Sequence, residues 1–250
     1  MAAAVVGMAV VAVVVVAACD VTPAVTLPLP PAASPSASPS ASPSASPSAS
    51  PSASPRPSAA PRPPGPALAA LAALPVKGRA PKTGYARAQF GPAWADTDHD
   101  GCDQRNQVLG RDLTVVVKRG RCVVVTGLLH DPYTDMSVPF IRGALTSDDV
   151  QIDHVVALSN AWQTGAQALD VYQRELIATD PLNLLAVNGP TNQSKGDGDA
   201  ATWLPPAKGY RCAYVARQVA VKTRYKLWVT PAERDAIARV LTDCPAQALP

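Results

Sequence analysis

The spacing of apolar residues changes character several times along the chain. Residues 2–18 are an almost unbroken run of Ala and Val, interrupted only by Gly7 and Met8. A run of that length suits the hydrophobic stretch of an export signal and is marginal for a bilayer span. Further on, residues 113–117 and 122–126 are β-branched runs separated by Lys118-Arg119-Gly120-Arg121, and together they predict a hairpin. Residues 151–158 (QIDHVVAL) read as a short apolar strand. From 160 to 178, Trp162, Ala166, Leu169 and Leu176 recur at helical spacing. Residues 183–187 (NLLAV) predict a second strand, Asn188-Gly189-Pro190 a turn, and a short helix follows from about Thr191, with one more turn at 200–204. Residues 210–228 predict a helix with Val215, Ala216, Val219 and Ala220 on one side. Thr230-Pro231-Ala232-Glu233 then supplies an N-cap, a proline at the first helical position and a capping-box glutamate, so a last helix runs to about Leu241. So short a connection makes these last two helices antiparallel.

Composition decides which of these segments can belong to a core. Residues 23–66 are rich in Pro, Ser and Ala, and 34–53 is a tandem Ser-Pro-Ser-Ala repeat. Frequent proline removes backbone donors and fixes φ, while Ser and Ala offer little to bury, so an extended spacer is expected. Before it, Val16-Ala17-Ala18-Cys19 resembles a bacterial lipobox, which would place a lipid on Cys19. Met1-Ala2-Ala3-Ala4 lacks the Lys or Arg usual in such a signal, so either the true start lies upstream or Cys19 is an ordinary residue near a plain secretory cleavage site, with a retained membrane helix as the last alternative. The expected organisation is a signal peptide at 1–18, a lipidated cysteine and disordered linker at 19–75, and one folded domain at 76–250. The expected location is outside the cytoplasm, on the outer face of the membrane through Cys19 or free as a secreted protein.

Cysteine usage agrees with export. With Cys19 set aside, Cys102, Cys122, Cys212 and Cys244 remain, an even number. Cys122 opens the second strand of the hairpin, and Cys212, near the start of one C-terminal helix, approaches Cys244 just past the end of its antiparallel neighbour. The expected bridges are therefore Cys102–Cys122 and Cys212–Cys244. No pair has the Cys-x-x-Cys spacing of a zinc site. The net charge of +3 permits nucleic-acid binding without arguing for it. Lys208, Arg211, Arg217, Lys222, Arg224 and Lys226 form a stretch free of acidic residues, either a face that guides phosphates or the wet side of an amphipathic helix.

Of the three histidines, His99 lies in the acidic turn Asp96-Thr97-Asp98-His99-Asp100-Gly101, read as a solvated loop that lacks the full spacing of a calcium loop. His130 precedes Asp131-Pro132 and reads as a surface residue. His154 follows an acid on a strand, with an Asn- and Gly-rich segment downstream. Together QIDHVVALSNAW, DPLNLLAV and GPTNQSKGD resemble the His-Me finger (HNH) nucleases, and more closely the exported bacterial HNH proteins related to the C-terminal domain of GmrSD-type restriction enzymes. Trp94, Asp103-Gln104-Arg105 and Asp131-Pro132-Tyr133-Thr134 extend that resemblance over most of the chain beyond residue 76.

The resemblance implies a ββα-metal core, and with the N-terminal β-hairpin and the C-terminal antiparallel helix pair read above, the expected fold is α+β. The resemblance also implies His154 as general base, Asp153 and Asn192 as ligands of one divalent cation, and Asn183 as the residue that fixes the loop and orients His154. Oxygen donors favour a hard ion, Mg²⁺ or Mn²⁺. Lys195 and the Asn192–Gly196 backbone are the expected phosphate contacts, with Arg105 and Arg211 weaker candidates. The chemistry is coherent, because an imidazole can deprotonate water near neutral pH and a cation can stabilise charge on a phosphodiester. Against this stand plainer roles: a hydrogen-bonded pair closing a strand for Asp153 and His154, a turn residue for Asn183, a helix cap for Asn192 and a solvated charge for Lys195. The expected activity is a monomeric, exported endonuclease acting on DNA or RNA. The alternatives are an inactive envelope lipoprotein that binds through the same fold, or a hydrolase of another phosphate ester.

Overall fold

The computed structural model describes residues 65–250. The signal run, Cys19 and the Ser/Pro repeat lie outside the described residues. The first element is helix α1 (Pro66–Ala73), opened by a proline at its start and closed at Leu74, whose extended backbone suits a residue before Pro75. Ala67 and Leu71 are buried against two later helices, so packed chain begins upstream of the expected boundary at Val76. An irregular segment follows, held by a bridge between Val76 and Val229 and by a 3-10 turn at Arg87–Phe90.

Helix α2 (Gln104–Asp112) was not legible as an apolar pattern, because its sequence QRNQVLGRD is mostly polar. Its cap explains its start: the Asp103 side chain accepts from the Asn106 amide at 2.8 Å. The predicted hairpin is present as strands β1 (Leu113–Arg119) and β2 (Val123–Asp131), extended by a third antiparallel strand, β3 (Met136–Ile141), on the far side of β2. The Cys102–Cys122 bridge ties the loop before α2 to the turn between β1 and β2.

A second antiparallel pair consists of β4 (Val150–His154) and β5 (Leu184–Asn188). The strand expected over 151–158 ends at His154. The helix expected over 160–178 is three pieces: α3 (Leu158–Gln163), a 3-10 turn at Ala166–Ala168, and α4 (Val171–Thr179). Gly165, at φ +132°, adopts a backbone closed to other residues and breaks the run, and Asp170 then caps α4 through the Gln173 amide. Helix α5 (Gly189–Lys195) leaves β5 directly. The penultimate helix, α6 (Arg211–Arg224), stops short of the expected Trp228, since Leu227–Val229 turns extended to meet Val76. The last helix, α7 (Pro231–Thr242), carries the expected capping box of Thr230 and Glu233. Cys212–Cys244 joins the start of α6 to the end of α7, which makes the pair antiparallel.

The fold is α+β with small antiparallel sheets. The β4–β5 pair buries apolar residues on both faces because it separates two cores. Ile152, Leu184 and Ala186 pack with Leu109, Leu129 and Phe140 of the α2 and β1–β3 layer. Leu185 and Val187 pack on the other side with Tyr133, Tyr214 and the helices α1, α6 and α7. Among the described residues no helix is long and apolar enough to cross a membrane.

Candidate active site

Asp153 and His154 are the last two residues of β4, and successive strand residues point to opposite faces. Asp153 turns inward. Tyr133 Oη donates to its Oδ2 at 2.5 Å and Lys195 Nζ to its Oδ1 at 2.7 Å, with all three side chains buried. Lys195 Nζ also donates to the His154 carbonyl at 2.8 Å, so the end of α5 grips the end of β4. A buried carboxylate is tolerated when both oxygens are bonded and a cation stands beside it. Burial and the Asp153 charge push the Tyr133 hydroxyl well above its ordinary range, so it remains a donor.

His154 is only partly exposed and is held by one backbone group. Its Nε2 lies 2.9 Å from the Ala178 carbonyl near the end of α4. A carbonyl only accepts, so Nε2 carries the proton and the neutral ring keeps its lone pair on Nδ1. Burial lowers the pKa to about 4, outweighing the opposing pull of the Ala178 carbonyl and Asp153, so the ring is neutral at physiological pH.

Asn183, fully buried, staples the turn after β4 to the same helix. Its Oδ1 accepts from the Val156 amide at 2.8 Å, its Nδ2 donates to the Ile177 carbonyl at 3.0 Å, and its own carbonyl accepts from the Val155 amide at 2.8 Å. Asn192, on α5, donates from Nδ2 to Gln151 Oε1 at 2.9 Å. Asp153, His154 and Asn192 line one open cleft of about 340 Å³, walled also by Tyr85, Arg87, Ser159 and Asp197.

Both side chains expected to contact phosphate bond to groups within the protein. Lys195 is not offered to a ligand, because its ammonium is spent on Asp153 and a carbonyl. Arg105 does not line the cleft: it donates to the Ser147 and Val150 carbonyls and lies over the Trp94 ring. The basic stretch is also no continuous phosphate track. Lys222 is buried against Glu233 at 2.8 Å, Arg224 pairs with Asp180 at 2.7 Å, and Arg211 bonds the Pro205 carbonyl. His130 is exposed beside Asp135. The acidic turn brings carboxylate oxygens of Asp96, Asp98 and Asp100 within 4.8 Å of one another, while Asp96 also accepts from the Gly101 amide.

Comparison with known proteins identifies the family of the sequence. The profile of the family described as GmrSD restriction endonucleases, C-terminal domain, matches residues 103–240, more than half of the chain. The chain belongs to this family. A relative from Arthroderma benhamiae, described as an uncharacterized secreted protein, is 39% identical over 176 residues, which covers 70% of this chain and 82% of the relative. No solved structure matches. In this GmrSD C-terminal domain the matched stretch opens at Asp103, the cap of α2, and takes in both sheets, α5 and most of α7. It excludes α1 and the Arg87 wall of the cleft. Tyr133 lies in the Asp131-Pro132-Tyr133-Thr134 motif, but its bond to Asp153 carries no mark in the sequence. The Ala178 carbonyl is equally unmarked, since a backbone acceptor leaves no residue-type signal.

Proposed function

We propose that the protein is an exported metal-dependent endonuclease that hydrolyses phosphodiester bonds of DNA or RNA, with β4, β5 and α5 as its ββα-metal core. The observation that carries this reading is His154, neutral, fixed through Nε2 and facing the cleft that Asp153 and Asn192 also line. The donor set suits a hard divalent ion. The Asn192 amide nitrogen is engaged by Gln151, which leaves Oδ1 for coordination, and each Asp153 oxygen makes one bond where a carboxylate oxygen can accept two. Asp153 and Asn192 would thus hold Mg²⁺ or Mn²⁺. The chemistry such an ion supplies when bound is charge stabilisation at the phosphate and the leaving oxygen.

The chain's own part follows from the bonds above. His154 Nδ1 accepts a proton from water, Ala178 fixes the tautomer, and Asn183 holds the turn and helix end that frame the ring. Tyr133 and Lys195 keep the Asp153 carboxylate in place. Membership of a nuclease family supports the reading, and the secreted relative and the two disulfides support export. In this reading residues 1–18 are removed as a signal peptide and Cys19 carries the lipid. Plasmid DNA incubated with the purified protein should be cut, EDTA should stop the cutting, and His154→Ala should lower turnover by roughly 10²–10⁴-fold. Cutting by His154→Ala at the wild-type rate removes the base assignment. No cutting at all by the wild type favours a binding protein on the same fold.

A further inference from the structure

A nucleic-acid backbone brings negative charge into the cleft, and the cations expected to meet it are engaged elsewhere. Lys195 is closed within an ion pair, Arg105 lies outside the cleft lining, and Lys82, near the rim, is bonded to Asp197 at 2.9 Å. Among the residues lining the cleft, Arg87 is the side chain with a permanent positive charge. Its Nη1 donates to the Gly91 carbonyl at 3.0 Å and the Phe90 carbonyl at 3.4 Å, both neutral acceptors. A guanidinium has five N–H donors in a planar fork, so these two bonds hold the head group still and leave Nε and Nη2 for a ligand. The residue is exposed, and its charge is one of those felt by His154.

The placement of Arg87 is rigid. Phe90, at the end of the same 3-10 turn, is fully buried among Trp162, Ile177 and Ala178. Arg174 of α4 donates from Nε to the Gln89 carbonyl at 2.8 Å. Helix α4 also presents the Ala178 carbonyl that holds His154. One helix therefore positions both the neutral base and the exposed cation, as a site must when a phosphate is to be held against a water-activating imidazole.

We propose that Arg87 is the phosphate-binding side chain of this cleft, receiving a backbone phosphate of the nucleic acid through its free guanidinium edge. The inference rests on the nuclease reading above and adds a residue that lies outside the stretch matched by the family.

The test measures binding of a short fluorescent DNA duplex to the full chain in EDTA, by anisotropy across a salt series, alongside cleavage with Mg²⁺. Arg87→Ala should weaken binding several-fold and make the log–log salt slope shallower by about one, the signature of one lost phosphate contact. Arg87→Lys keeps the charge without the two carbonyl bonds and should recover most of the slope. If the wild type binds and cuts while Arg87→Ala keeps the wild-type affinity and slope, the inference fails and the nuclease reading stands. A loss of binding that Arg87→Lys does not restore, accompanied by a lowered Tm in both variants, also overturns it, since the residue would then only brace its turn. If the wild type neither binds nor cuts, the nuclease reading falls and the inference with it.

Discussion

Tyr133 and His154 show how single side chains set the character of this site. Tyr133→Phe deletes the one hydroxyl that bonds Asp153 Oδ2 and leaves that oxygen buried without its donor. Hydrogen bonds to charged groups are worth about 1.5–3 kcal/mol, and stability in urea should fall by that order. An unchanged midpoint would mean that the bond does not form in solution. His154 makes stability depend on pH. Its folded pKa of about 4 lies below the ordinary value of 6.5, so between them the unfolded chain binds a proton that the folded chain refuses. The contribution is complete above the ordinary value and is lost as pH falls through about 4, on the order of 3 kcal/mol in all. Urea midpoints measured from neutral to acid pH should drop along that window, and His154→Gln should flatten the drop. Equal slopes in both proteins would show that other groups carry the acid sensitivity. At this scale the sequence revealed which residue types cluster, and it misled where a lysine is buried. Lys195 sits in the hydrophilic helix GPTNQSK, where nothing in the pattern marks one lysine as enclosed.

At the level of elements, boundaries follow caps and glycines more closely than hydrophobic period. Thr230 and Glu233 announced α7 because both partners of the cap are encoded within four residues. The expected helix over 160–178 failed because its apolar spacing is continuous through Gly165, while the backbone is not. β3 was missed because MSVPFI is short and carries a proline, which an edge strand tolerates. Gly189, the first residue of α5, is fixed by close approach: a Cβ there would stand 1.9 Å from the Asp148 carbonyl oxygen. Backbone cannot yield as a flexible side chain can. Gly189→Ala should therefore cost about 1–3 kcal/mol and displace α5, which carries Asn192 and Lys195, so that activity falls with stability. Wild-type stability and turnover in this variant would show that the approach is looser than the structure draws it.

Over the whole molecule, the two bridges join cysteines near each other in sequence, at separations of 20 and 32 residues. Among these four cysteines the nearest alternative partners, Cys122 and Cys212, stand 90 residues apart. In an unfolded chain the closure cost grows with the logarithm of loop length, so the shortest native loop is favoured over that alternative by about 1.3 kcal/mol, or about tenfold. Four thiols permit three pairings. The native one is also the one that chance encounter selects, before any fold exists to guide it. A chain that meets oxidant while still unfolded is thereby steered toward its native covalent topology by polymer statistics alone. Its site residues from Tyr133 to Lys195 all fall in the uncrosslinked stretch between the two loops, free to rearrange until the sheet and helices close around them.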